Sequence, residues 1–502
     1  MRTPSEEDIA QLGQEFGITI DRSEISEIRE QVERNIEGIE TLRSLSRLSS
    51  ESPDVGARPW QEPDTNPYNS IVVHCDVPPK AGDSQLLSDY KIGIKDNIAV
   101  AGVPLQCGSS TMEGYIPGTD ATVVDRLREA GGRITAKTNL DEFAGGARGV
   151  SHFGQMENPH DTAHIPGGSS GGSAIAVQTG EVDAALGTDT GGSVRLPSGY
   201  CGIVGLKPTY GLVPISGVVE NTYTLDHVGP MADSVTKVAT VLEAVAGKDP
   251  TDPASMQAAG KDEYAVGGYV DATESPPSIS DLTLGVIAEG MGAGTAEDEV
   301  DPEVVTQTQS AIDDLEEAGA EIVDVSIPQY ELAGPIKYAQ SYIELAAHWR
   351  AGGAQYRRGG RVDPQYQSSF ARNTAASSAE VNPYYRARLL TGAHLIKNHH
   401  SRQYAHAIAA GNELGTEFDA ASSGVDALVS PTTPSTAPTI EAAKSPGYSY
   451  ARNTNVANLT GRPAITLPNG QISGLPIGIQ LLGDEFADDT LLGVAAAVES
   501  VI

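Results

Sequence analysis

The chain has 502 residues, 39% of them hydrophobic, enough for a large buried core in an extended enzyme body or in two to four domains. Against 33 bases stand 67 acids, a net charge of −34. That balance argues against nucleic acid or anionic membranes as partners, since both are bound through displaced counterions and basic side chains. No stretch reaches the roughly 18–20 unbroken apolar residues that cross a bilayer. The opening "MRTPSEEDIAQL" lacks the basic-then-apolar layout of a signal peptide, so a cytoplasmic protein is expected. Cys75, Cys107 and Cys201 are too few and too scattered for a disulfide framework or a zinc site, and they read as reduced thiols. The acids are spread along the whole chain, and lysine supplies only a third of the bases. Such a surface is expected of a halophile, in whose cytoplasm salt screens self-repulsion to within a few ångströms.

In chain order, residues 5–50 carry apolar residues at three- and four-residue spacing ("DIAQLGQEFGI", "EISEIREQVERNIEGIETLRSL") and predict two helices outside a larger body. "SSESPDVGARPWQEPDTNPYN" is rich in Pro, Ser and Asp and reads as a linker. Residues 1–62 are therefore read as an N-terminal helical segment with linker, and 63–502 as the catalytic domain. "YKIGIKDNIAV" predicts a buried strand around one lysine. "DATVVDRLREAGGRITAKTNL" predicts an amphipathic helix, a Gly–Gly stop and a strand. "SGGSAIAVQTG" opens a small-residue helix, and "DAALGTDTGG" is a strand running into a glycine turn. "LTLGVIAEG", "DPEVVTQTQSAIDDLEEAGA" and "EIVDVSIP" repeat strand–helix–strand. Residues 248–280 are a polar excursion, and 330–420 read as mostly helical. The alternation predicts an α/β protein whose mixed, largely parallel sheet is covered by helices on both faces.

Two Gly/Ser runs carry the chemical signal. "IPGGSSGGSAIAVQTG" (165–180) is poor material for a flexible linker, because an apolar helix starts at Ala174. It also lacks the lysine of a phosphate loop. Around Ser169 and Ser170 it fits G-x-S-x-G, but a hydrolase of that type needs a downstream histidine. His227, His348, His394 and His399 are available, and none sits in a context that marks it. The second run, "GTDTGGSVRLPSGYCG" (187–202), again follows a predicted strand. Consecutive glycines let successive N–H groups point into one small space, as an oxyanion requires. Lys95, alone in an apolar run, completes a three-part constellation.

"GIKDNI", "PGGSSGGSA" and "ALGTDTGGSVRLPSGYCGIVGLKPTYG" resemble the amidase signature family, and the resemblance extends from about Asn66 to the end of the chain. It implies the amidase signature fold, no cofactor and no metal. It also implies a Ser–cis-Ser–Lys triad: Ser193 as nucleophile, Ser169 as the bridging serine after a cis peptide at Gly168, and Lys95 as base. The backbone N–H groups of Thr190, Gly191, Gly192 and Ser193 would hold the oxyanion, with Asp189 and Arg195 as structural support. A free lysine is nearly all charged at neutral pH, so burial among Ile92, Ile94 and Ile98 is what would leave a usable amine.

Within the family two activities stand open. One is stand-alone hydrolysis of a carboxylic acid amide. The other belongs to the A subunit of glutamyl-tRNA(Gln)/aspartyl-tRNA(Asn) amidotransferase, which takes ammonia from glutamine. "LVPISGVVENTYTLDHVGP" and "MENPHD" resemble the stand-alone amidases. "RNTNVANLTG" stands where the amidotransferase chain tends to carry an acid for the glutamine amino group. The expectation is an amidase acting on a small-molecule amide as a homodimer, without nucleic acid or membrane. A catalytically silent relative is disfavoured, because all three triad positions are filled.

Overall fold

Short apolar runs closed by Gly, Pro or Asp form the strands, as their composition requires. They are β1 (Trp60–Gln61), β2 (Ile71–Val77), β3 (Lys91–Lys95), β4 (Arg133–Thr138), β5 (Val150–Ser151), β6 (Gly154–Gln155) and β7 (Ala184–Asp189). There follow β8 (Val204–Lys207), β9 (His227–Ala232), β10 (Thr283–Ile287), β11 (Glu321–Val325), β12 (Ala427–Pro431), β13 (Ala464–Ile472) and β14 (Leu475–Leu482). The computed structural model describes residues 3–41, 58–82, 84–294, 299–354, 360, 363–445 and 450–502. It divides into two compact units, Met1–Pro53 and Asp54–Ile502.

The first unit contains the two expected helices. Glu6–Glu15 starts on a capping box between Ser5 and Asp8, while Ile25–Glu40 has no buried residue. Residues 42–57, the end of the predicted second helix and the first half of the predicted linker, lie outside the described residues.

In the second unit twelve strands among the described residues make one mixed sheet in the order β1-β2-β4-β3-β7-β9-β8-β13-β14-β12-β10-β11, and β5–β6 form a separate small hairpin. Parallel pairing occurs where strands alternate with helices: β3 with β4 and β7, and β10 with β11 and β12. Antiparallel pairing joins β7 through β9, β8 and β13 to β14 and β12. Trp60 and Gln61 pair with Cys75 and His74, so the C-terminal part of the predicted linker already belongs to the sheet. A two-residue edge strand is too short to leave a periodic signal in a Pro- and Asp-rich stretch.

The excursion 248–280 contains two short helices, Pro253–Ala258 and Tyr269–Glu274. Residues 330–420 are helical as expected: Ala333–Arg350, Pro364–Ser377, Pro383–His399 and Arg402–Ser422. The helix Gly171–Gln178 is buried from Gly171 to Val177, which explains why small and apolar residues surround its whole circumference. All three cysteines are free and buried. Among the described residues no helix is long and apolar enough to cross a membrane, and no cluster of His, Cys, Asp or Glu could hold a metal ion.

Candidate active site

Parallel neighbours end together, and that brings the first two parts of the constellation into contact. Ile92, Gly93 and Ile94 of β3 pair with Ala184, Ala185 and Leu186 of β7. Lys95 therefore lies at the same sheet edge as Thr188 and Asp189, at the carboxyl ends of parallel strands where open α/β sheets generally form their sites. The loop Pro166–Ser170 crosses that edge before the helix Gly171–Gln178, and its Gly168–Ser169 peptide bond is cis.

The Lys95 amine is fully buried. It contacts Ser169 Oγ at 2.7 Å, Thr188 Oγ1 at 2.8 Å and the Thr188 carbonyl at 3.2 Å. Burial lowers its pKa to about 7, against the pull of Asp141, Asp189 and Asp226. A neutral amine has two N–H bonds and one lone pair. Donating to the two oxygens of Thr188 leaves the lone pair for the Ser169 hydroxyl.

The second turn starts where β7 ends. Burial alone would raise the Asp189 carboxyl, yet Arg195, Asn458 and the other donors around it hold it well below the usual carboxylate range. Its oxygens accept from Arg195 Nε and Nη2, each at 3.1 Å, and from Asn458 Nδ2 at 2.9 Å. They also accept from the N–H of Gly192 at 2.7 Å and of Val194 at 3.1 Å. Arg195 in turn donates to Gln480 and Asn458, each at 2.7 Å. Asp189 and Arg195 thus brace the turn from beneath, tying β7 to β14 and to the helix Asn455–Thr460.

This bracing corrects one expected oxyanion donor. The Gly192 N–H is taken by Asp189, so it does not face a ligand. A fixed carboxylate inside the turn outcompetes solvent for the N–H it can reach, which composition alone does not reveal. The N–H groups of Thr190, Gly191 and Ser193 donate to no acceptor among the described residues. Ser193 is 9% exposed, and its carbonyl accepts from the N–H of Ser170 at 3.1 Å, which joins the two Gly/Ser turns directly. Its hydroxyl makes no hydrogen bond among the described residues.

Several residues that no sequence motif marks stand here. Thr188 holds the Lys95 amine. Asp226 accepts from the Thr190 hydroxyl at 2.5 Å and from two backbone N–H groups, and burial raises its carboxyl to about 7. Asp141 accepts from the N–H of Arg148 at 2.9 Å, and its other oxygen is buried without a partner against Gly168. Lys337 stands beside Gly191. Thr188 and Asp226 sit in the stretches "GTDTGG" and "TLDHVG", but nothing in those stretches fixes which way a side chain turns. Of the four candidate histidines, His227 is buried and directs Nδ1 to the carbonyls of Leu225 and Asp189. No histidine bonds to Ser169, Ser170 or Ser193 among the described residues.

The family model described as Amidase matches residues 80–492. The chain belongs to the amidase family. Among its relatives, the A subunit of glutamyl-tRNA(Gln) amidotransferase from Halobacterium salinarum is 39% identical over 419 residues, covering 82% of this chain and 95% of the relative. The protein of the same name from Symbiobacterium thermophilum is 38% identical, covering 91% and 92%. Among solved structures, the corresponding amidotransferase chain of Thermotoga maritima superposes with a TM-score of 0.69 at 30% identity, over 86% of this chain and 87% of that one. The native peptide amidase of Stenotrophomonas maltophilia gives 0.69 at 32%, over 82% of each chain. The chain is thus an enzyme of the hydrolases and amidases that act on C–N bonds. These names correct the expected partners. A small-molecule amide as sole partner, with no nucleic acid and a homodimer, does not describe relatives that are subunits of an enzyme named for a tRNA.

Proposed function

We propose that this chain releases ammonia from a primary carboxamide through an acyl-enzyme on Ser193, and that it does so on glutamine as the A subunit of a tRNA-dependent amidotransferase. The observation that carries the chemistry is the buried amine of Lys95 at 2.7 Å from Ser169 Oγ, beside the Ser193 turn. The similarity to amidotransferase A subunits supports the substrate and the assembly. A cytoplasmic setting goes with that reading.

In this mechanism Ser193 Oγ rotates onto Ser169 Oγ and attacks the amide carbonyl. Its proton passes to Ser169 as the Ser169 proton passes to the neutral amine of Lys95. The developing oxyanion lies against the N–H groups of Thr190, Gly191 and Ser193, each such donor contributing about 3 kcal/mol to the transition state. The relay then runs backwards, the leaving nitrogen takes the proton, and ammonia departs. Water attacks the acyl-enzyme by the same route and frees the acid. No step calls for a metal or an organic cofactor.

A second reading, the stand-alone amidase, is favoured by one specific feature. The segment Tyr450–Gly461, which closes on the site through Thr454 Oγ1 donating to the Gly191 carbonyl at 2.7 Å, contains no carboxylate for an α-amino group.

Ammonia release in high salt, from glutamine and from neutral amides, separates the two. The assay uses the wild type, Ser193→Ala and Lys95→Ala, each with and without partner subunits and glutamyl-tRNA. Glutamine-derived ammonia that rises with the partners and vanishes in both variants supports the amidotransferase. Hydrolysis of neutral amides alone, lost in both variants, moves the assignment to the stand-alone enzyme. Activity that survives both substitutions overturns the mechanism.

A further inference from the structure

The oxyanion turn is held from two sides, and the two braces reach different residues. From beneath, the Asp189 carboxylate takes the N–H groups of Gly192 and Val194 and pairs with Arg195. Among the described residues no hydrogen bond joins that carboxylate to Thr190, whose N–H is the first of the three open donors. Asp226 takes the Thr190 side chain instead, the hydroxyl donating to its Oδ1 at 2.5 Å. Both residues are buried. Threonine branches at Cβ and has few χ1 choices, so a clamp on its hydroxyl also constrains the backbone that carries the N–H.

Asp226 can aim another residue because it is itself held fast. Its Oδ2 accepts from the N–H groups of Asn221 at 2.8 Å and Thr222 at 3.0 Å, and its own N–H returns to the Thr222 carbonyl at 2.8 Å. The loop 221–226 thus closes on the carboxylate, and its side chains anchor it outward. The Thr222 and Ser341 hydroxyls share a hydrogen bond of 2.6 Å, and Thr224 Oγ1 accepts from Gln340 Nε2 at 2.6 Å, both partners lying on the helix Ala333–Arg350. On the other side, Asn221 Nδ2 donates to the carbonyls of Ala144 at 2.7 Å and Phe143 at 3.3 Å. The Phe143 ring packs edge-on against Trp349 and Phe370. A buried hydrogen-bond network of this kind holds one geometry.

We propose that Asp226 is a positioning residue for acyl transfer, holding the Thr190 hydroxyl so that the Thr190 N–H points at the developing oxyanion. The inference rests on Ser193 being the acylated residue. The contact acts in the transition state, where charge gathers on the carbonyl oxygen, and contributes little to substrate binding. Its loss therefore appears in kcat and leaves KM nearly unchanged.

The test follows ammonia release in high salt, from pentanamide and, with the partner subunits present, from glutamine. Alongside it runs the rate at which phenylmethanesulfonyl fluoride labels Ser193, read by mass spectrometry. The variants are Thr190→Val, which keeps the shape of threonine without its hydroxyl, Thr190→Ser, Asp226→Ala, and Asp226→Ala combined with Thr190→Val. Thr190→Val should lower kcat and the labelling rate at least about tenfold, with KM within about twofold of the wild type. Thr190→Ser, which keeps the hydroxyl, should stay within about threefold of the wild type. The double variant should fall no further than the lower single one, because all three have lost one and the same contact. An unchanged kcat in Thr190→Val, an equal loss in Thr190→Ser, a loss carried by KM, or losses that multiply in the double variant overturns the proposal and leaves the acyl-enzyme reading standing. A wild type that releases no ammonia and leaves Ser193 unlabelled overturns both. Where labelling alone occurs, its rate takes the place of kcat. If Asp226→Ala does not fold, Thr190→Val against Thr190→Ser decides.

Discussion

Lys95 and Ser169 share one contact, and its direction of proton flow is set by where the amine titrates. With Lys95 lowered to about 7 by burial, the protonated amine below that pH cannot accept from Ser169. On a neutral amide, kcat/KM should therefore fall about tenfold per pH unit below 7 and level off above it. A flat profile between pH 5 and pH 8 would remove Lys95 as the base. Asp189 depends on Arg195 in a different way. Both are fully buried, so Arg195→Met leaves a carboxylate with its main counter-charge gone. A loss of about 3–5 kcal/mol in denaturant unfolding is expected, along with lost activity as the turn loosens. A loss below about 1 kcal/mol would mean that the backbone N–H groups and Asn458 suffice for Asp189.

At the scale of elements, the two glycine runs do different work. Gly172 lies in the first turn of its helix, where a Cβ would stand 2.5 Å from Asn139 N and Asn139 O and also collide with the Ser70 carbonyl. These are backbone atoms of the adjoining sheet segment, so they cannot swing aside. Gly172→Ala should force the helix off the sheet at a cost of at least about 2 kcal/mol, displacing Ser169. Thermal unfolding together with kcat measures both effects. Gly192 is required for another reason: its φ of +116° is open to glycine, and a side chain would strike Thr454. That conformation turns the Gly192 N–H down to Asp189, so the residue shapes the oxyanion turn without donating to it.

At the scale of the molecule, a charge of −34 repels itself unless screened. The screening length falls from about 10 Å at 0.1 M salt to about 3 Å at 1 M. The melting temperature should rise across that range, and circular dichroism at matched pH checks it. A melting temperature that falls with salt would mean that attractive pairs such as Arg58–Asp120–Arg128 outweigh the repulsion.

Legibility in the sequence varies with the kind of contact involved. The helices of 330–420, the β3 and β7 strands and the Gly/Ser turns follow from local pattern, because periodicity and backbone freedom are properties of neighbouring residues. Lys95, Ser169 and Ser193 are legible because each sits inside a distinctive local run. Thr188, Asp226 and Asn458 are not, since each acts through a partner far away in the chain. Gly192 misleads as a donor for the same reason: a glycine's freedom says that its N–H can turn, and only the folded carboxylate of Asp189 decides where. The sequence by itself determined the strand–helix alternation, the buried amine's place in an apolar run, the acidic surface and the family. Only the tertiary structure decided which N–H groups remain open, which strands pair antiparallel, and that a second lysine stands beside the nucleophile turn. The physical reason is that composition and spacing fix what a segment can bury, whereas the direction of a hydrogen bond depends on what the rest of the chain brings to meet it.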